Sequence, residues 1–110
     1  MGDGIAPPTH PKWKERVPRD GGATWDFDDI RDYYTKLLFD LDPFKLRYSD
    51  LERYLAIARV TSGEVMQRTI SEFRRVGSTC DGALIWWLRD LWLGAGWGVI
   101  DADGRAKAAY

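Results

Sequence analysis

The 110-residue sequence has no asparagine, one cysteine and one histidine. The single cysteine, Cys80, has no partner for an intrachain disulfide or a two-sulfur metal clip, which fits a reducing, cytoplasmic compartment. The lone histidine, His10, stands beside Pro11 without the companion ligands a metal site needs, so neither metal nor cofactor is expected. A strong charge of either sign is also missing. Sixteen Lys and Arg oppose 17 Asp and Glu, interspersed rather than blocked, which argues against a nucleic-acid partner. Long hydrophobic runs are absent too. The longest is Ala83–Leu88, far short of the ~20 residues that span a bilayer, so no membrane partner is expected. Met1–Asp20 is rich in proline and charge and lacks the apolar stretch of a signal peptide.

Tryptophan is abundant. Four of the six, Trp86, Trp87, Trp92 and Trp97, lie within twelve residues. Aromatics at such density form either a core or a ligand platform. Residues 1–23 hold four of the five prolines and read as an irregular lead-in; residues 24–110 read as the structured part.

A first helix is expected to start at Asp26, which can cap the free amides while Asp28 and Asp29 suit the N-terminal dipole. Ile30, Tyr33, Tyr34, Leu37 and Leu38 give it one apolar stripe. It should stop before Asp42-Pro43. A longer helix should begin at Ser49, with Glu52 completing a capping box, and end at Gly77. Its predicted inward face runs through Leu51, Leu55, Ala58, Ser62, Val65, Thr69 and Phe73, and Gly63 weakens it by about 1 kcal/mol relative to alanine. The period then changes. Gly82–Leu88 is apolar at consecutive positions, as in a strand covered on both faces of an α/β sheet. A Gly-rich loop (93–98), a short extended Val99-Ile100 and a turn at 101–104 follow, and Arg105–Tyr110 reads as the start of another helix. A strand buried on both faces needs strand neighbours for its main chain, and the sequence offers almost none. On those grounds alone the chain reads as a fragment.

Cys80-Asp81-Gly82-Ala83-Leu84-Ile85-Trp86-Trp87-Leu88-Arg89-Asp90-Leu91-Trp92 resembles the last barrel strand of the β-mannosidases of glycoside hydrolase family 2. The family pattern there is Cys-x-Gly, a hydrophobic strand, Trp-Gln-Leu-Asn-Asp and a further Trp. Trp97, Ile100, Asp101, Gly104 and Lys107 continue it in order. The helix containing Arg59 and Ser71–Arg75 fits more loosely, and residues 1–23 show no likeness. Trp87 stands where the family has Gln, and Arg89 where it has Asn. The resemblance implies an α/β fold: the C-terminal piece of a TIM (β/α)8 barrel, made of two helices, one buried strand, a loop and the start of a final helix. Catalytic groups in that fold sit at the C-terminal ends of strands, so Trp86, Asp90 and Trp92 become the candidate substrate-binding residues. Trp86 would offer a flat face to a sugar ring, and Trp92 would wall the pocket. Asp90 and Arg89 would bind hydroxyls or hold the loop, while Trp87, on the opposite face, would pack against helices.

Retaining glycosidases use two carboxyl groups about 5–5.5 Å apart. In the family one follows Asn and the other Ser on earlier strands. This sequence has no Asn-Glu, and its Ser71-Glu72-Phe73 falls inside a helix, where Glu72 should pair with Arg68 or Arg75 on the surface. The expected function is therefore that of a segment of a retaining exo-glycosidase acting on terminal β-mannosides, inactive alone and partnered by the remainder of the barrel, with no catalytic residue of its own. The rival reading is a non-catalytic helical module whose Trp cluster binds a partner or a carbohydrate. A small enzyme using acids of residues 26–32 is disfavoured, because those acids suit a helix start.

Overall fold

A computed structural model describes residues 6–110. The chain folds as a 3₁₀ turn, Pro11–Arg16, followed by helices α1 (Phe27–Phe39), α2 (Pro43–Ser49) and α3 (Leu51–Arg74), and then a non-helical C-terminal part. Helix α3 packs against both α1 and α2.

Helix α1 begins as its sequence dictates. The Asp26 carboxylate accepts from the Asp29 amide and the Asp29 carboxylate accepts from the Asp26 amide, each at 3.0 Å, a reciprocal capping box. The helix ends at Asp40, which takes the left-handed conformation (φ 52°) and donates its N–H to the Lys36 carbonyl. The Asp42-Pro43 pair that stops α1 also starts α2, with Asp42 accepting from the Lys45 amide and Pro43 in the first turn, where its missing N–H costs nothing. Helix α2 was not expected from sequence. It moves the start of the long helix, whose cap is Asp50, accepting from the Arg53 amide, and not Ser49. Helix α3 closes at Arg75, and Gly77 takes its positive φ of 86° two residues beyond that cap.

The helices meet on polar faces. Buried positions are Asp28 and Thr35 on α1, Arg47 on α2, and Tyr54, Ala58 and Thr61 on α3. The Thr35 and Thr61 hydroxyls lie 2.8 Å apart at the α1–α3 crossing. The stripe predicted to face inward on α1 mostly faces out, with Tyr33 64% and Leu37 65% exposed. Thr69, assigned to the inner face of α3, is also exposed.

The expected α/β fold is overturned. Among the described residues there is no strand and no sheet, so neither the buried strand nor the barrel piece is present. Single bridges join Arg89 to Ile100 and Ile100 to Ala106. The physical reason is the shortage of neighbours. Residues 87–90 are paired with residues 99–100 alone, through Val99 N–H to Trp87 O, Ile100 N–H to Leu88 O and Asp90 N–H to Ile100 O, and among the described residues they make no other main-chain hydrogen bond. Leu84 is fully exposed, Trp86 and Leu88 are largely so, and Ile85 is about half-exposed. Arg105–Tyr110 is not helical either. Lys107 donates its amide to the Val99 carbonyl, so the segment runs back along residues 99–100. It then crosses α3 at Gly63, where a Cβ would lie 2.9 Å from the Ala108 carbonyl oxygen. The glycine that weakens α3 locally thus permits this contact.

Candidate functional site

The candidate residues Trp86, Asp90 and Trp92 belong to one C-terminal unit, residues 86–107, tied together by Asp90. The Asp90 side chain is buried. Its Oδ1 accepts from the Gly98 amide at 2.8 Å, and its Oδ2 lies 2.5 Å from the Lys107 ammonium. Lys107 also donates to the Gly96 carbonyl at 3.1 Å. The loop can close this tightly only because residues 96 and 98 are glycines. A Cβ on Gly96 would come within 2.5 Å of the Asp90 carboxylate, and one on Gly98 within 2.6 Å of both that carboxylate and the Asp90 amide nitrogen. Arg89 donates to the Ala102 carbonyl at 2.6 Å. Both charged residues at the end of the apolar run therefore hold the loop.

The tryptophans divide by exposure. Trp86 is 73% exposed and leaves a broad indole face open. Its centroid lies 5.4 Å from that of Trp87. Trp87 was expected against helices; instead it lines a small recess with Pro18, Asp90, Leu91, Trp92, Ala95 and Gly96. Its Nε1 is buried without a hydrogen-bond partner. Trp92 is half-exposed and donates from Nε1 to the Arg16 carbonyl at 3.1 Å, binding the loop to the lead-in. Trp97 meets Phe27 edge-to-face at 4.7 Å, joining the loop to α1. Trp86 and Trp92 thus lie on one loop unit with Asp90 beneath it.

A second cluster was missed by sequence reasoning. Asp28 is fully buried where α1 faces the lead-in and α2. It accepts from Trp13 Nε1 (2.9 Å) and Arg47 Nη2 (2.9 Å) and pairs with Arg31. Arg47 also reaches Asp32 at 2.7 Å, and the Tyr54 hydroxyl donates to Asp32 at 2.8 Å. Lys14 bridges both Asp26 oxygens and Asp29. Burial pushes the Tyr54 phenol up to about 12: nearby Arg31 opposes that rise, while Asp28 and Asp32 add to it. Burial also raises the Asp32 carboxyl, outweighing its bonds from Tyr54 and Arg47. For Arg47 the balance falls the other way. Burial disfavours its charge, yet Asp28, Tyr54 and Asp32 together hold it above its ordinary value. The sequence signal was the run of acids in residues 26–32, read there as suiting a helix start.

Each acid of this cluster is bonded to a basic or phenolic partner, while Arg31 Nε and Arg47 Nε are buried without a hydrogen-bond partner. Glu72 is exposed on α3 and paired with Arg75, one of its two expected partners. It lines only an open surface groove with Glu64, Gln67, Arg68 and Ser71. Among the described residues no group of three or more His, Cys, Asp or Glu side chains could hold a metal ion, and no helix is long and apolar enough to cross a membrane.

No family model matches the sequence, and no solved structure matches the chain. Among curated proteins, it is similar over 65 residues to the beta-mannosidase B of Aspergillus niger (35% identical) and to those of Aspergillus terreus and Emericella nidulans (34% each). The matched stretch covers 56% of this chain, and the chain spans 8% of the length of each relative. The chain is thus a distant, partial homologue of beta-mannosidases.

Proposed function

We propose that this chain is a segment of a retaining, exo-acting glycoside hydrolase of the β-mannosidase type, in which it supplies a sugar-facing wall and no catalytic carboxylate. The observation that carries the reading is the 35% identity over 65 residues to a beta-mannosidase. The open face of Trp86 supports it, because an indole exposed on a braced loop can stack on the C–H face of a sugar ring. In this reading Trp86 is the platform for a terminal β-mannoside and Trp92 a side wall. Asp90 acts by fixing the loop that carries Trp92. The chemistry belongs to a carboxylate pair elsewhere in the longer enzyme, and the remainder of that enzyme is the partner. The residue ranges assigned on this reading are 1–23 for a lead-in, of which 1–5 lie outside the described residues, and 24–110 for the glycosidase segment.

The test uses an aryl β-mannoside. The isolated chain should give no turnover. A chimera of the A. niger enzyme, with the matched stretch taken from this chain, should hydrolyse it. In that chimera Trp86→Ala should raise KM about tenfold, as expected for the loss of one aromatic stacking contact. Turnover by the isolated chain that survives Glu72→Gln would overturn the segment reading. Turnover lost with Glu72→Gln would make Glu72 catalytic.

The packing of three helices around a buried polar cluster favours a second reading, a stand-alone module whose tryptophans bind a partner or a carbohydrate without catalysis. A sharp cooperative melt together with mannoside binding by the isolated chain would select it.

A further inference from the structure

Residues 91–95 are held differently from the rest of the C-terminal unit. Lys107 clamps the residues on either side of them, reaching the Asp90 carboxylate at 2.5 Å and the Gly96 carbonyl at 3.1 Å. Between these clamps, and among the described residues, 91–95 make one hydrogen bond, from Trp92 Nε1 to the Arg16 carbonyl at 3.1 Å. Gly94, near the middle, has φ 137°, a conformation that residues with a side chain rarely adopt. A segment with so few bonds opens locally at far less cost than the helices. The acceptor side of its one bond is fixed. Trp13 and Val17 of the lead-in are buried, Lys14 pairs with Asp26 and Asp29, and the Pro18 carbonyl accepts from the Phe27 amide at 2.9 Å. The lead-in therefore stays in place when 91–95 move.

Leu91, Trp92 and Ala95 of this segment wall the small recess that Pro18, Trp87 and Asp90 complete. Its volume is about 10 Å³, at the lower limit for a single water. Trp87 Nε1 is buried there without a hydrogen-bond partner. A buried donor with no acceptor is costly, and wetting it removes that cost. Two opposed effects thus act on the segment: the Trp92–Arg16 bond favours the closed state, and the unpaired Trp87 donor favours opening. We propose that residues 91–95 are a flap, latched by the Trp92–Arg16 bond, that lifts from the lead-in to give Trp87 Nε1 a hydrogen-bond acceptor, which is water in the isolated chain. The flap carries Trp92 whereas Trp86 lies outside it, so opening changes the spacing of these two tryptophans. The proposal stands independently of the glycosidase reading.

The experiment follows solvent exchange of the indole N–H protons by NMR on the full chain. The Trp13 indole, which donates to the buried Asp28 carboxylate at 2.9 Å, reports on opening of the helical body and serves as the internal reference. In the parent chain the Trp87 indole should exchange at least tenfold more slowly than free tryptophan and at least tenfold faster than Trp13. Trp92→Phe keeps a ring in the flap and removes the latch donor. It should speed Trp87 exchange at least tenfold and leave Trp13 exchange unchanged. Gly94→Ala is the second variant. Its methyl meets open space, yet its φ strains the closed flap, so the same pattern is expected. One variant showing that pattern suffices, which guards against a substitution that disturbs folding. The proposal fails if the Trp87 indole of the parent exchanges as fast as free tryptophan, since the recess is then already open. It fails if Trp87 and Trp13 exchange at one rate in the parent, since opening is then global. It also fails if neither variant speeds Trp87 exchange without speeding that of Trp13.

Discussion

The Lys107 ammonium lies 2.5 Å from the Asp90 carboxylate and 3.1 Å from the Gly96 carbonyl, so one side chain near the C-terminus holds the tryptophan loop shut. Lys107→Met keeps the aliphatic stem and removes the charge, leaving a buried carboxylate with only the Gly98 amide. Such a loss should cost about 2 kcal/mol. The urea midpoint should fall and tryptophan emission should shift to the red.

Arg47 is the hub of the buried cluster, shared by Asp28, Asp32 and Tyr54. Arg47→Met should cost about 3–5 kcal/mol, because two acids lose their buried counter-ion at once. Far-ultraviolet circular dichroism should show loss of helix or a greatly lowered melting temperature.

The Tyr54 phenol, raised to about 12 in the folded chain from an ordinary 10.0, ties stability to alkaline pH. Between about pH 10 and 12 the unfolded chain gives up this proton first, so deprotonation favours unfolding and stability falls as pH rises through that window. Tyr54→Phe should cost about 2 kcal/mol at pH 7, through the lost bonds to Asp32, Arg31 and Arg47. It also removes this titration, so the gap in urea midpoint between parent and variant should narrow from pH 7 to pH 11. An unchanged gap would refute the assignment.

Gly63→Ala separates local preference from packing. In an open helix the change stabilises by about 1 kcal/mol. Here the new methyl meets the Ala108 main chain, so the C-terminal segment must move. The expected result is a lower melting temperature, with faster amide exchange at residues 105–110.

Much of the helical part was legible in the sequence, and the gaps have physical causes. The cap at Asp26 was readable because the acids of the first turn have few other uses. Helix α2 was hidden by Asp42-Pro43, a pair that ends one helix and begins the next with equal ease. The buried faces were misread because apolar periodicity finds the greasiest stripe, whereas here α1, α2 and α3 join through Asp28, Thr35, Arg47, Tyr54 and Thr61. Gly82–Leu88 has the composition of a covered strand, but composition sets a demand for neighbours and cannot supply them. Of the candidate site, the clustering of Trp86, Asp90 and Trp92 was readable from their proximity in sequence. The Lys107 clamp and the Trp92 bond to the Arg16 carbonyl join distant parts of the chain and left no local mark.

The crossing of α1 and α3 at Thr35 and Thr61, like the ion pairs beside it, is held by directional bonds rather than by grease. Bonds of that kind specify angles and distances, and they stay made whether or not the outside of the molecule is wet. A body so assembled can keep its outline while its oily exterior remains free to adhere, so shape and stickiness are governed by different residues.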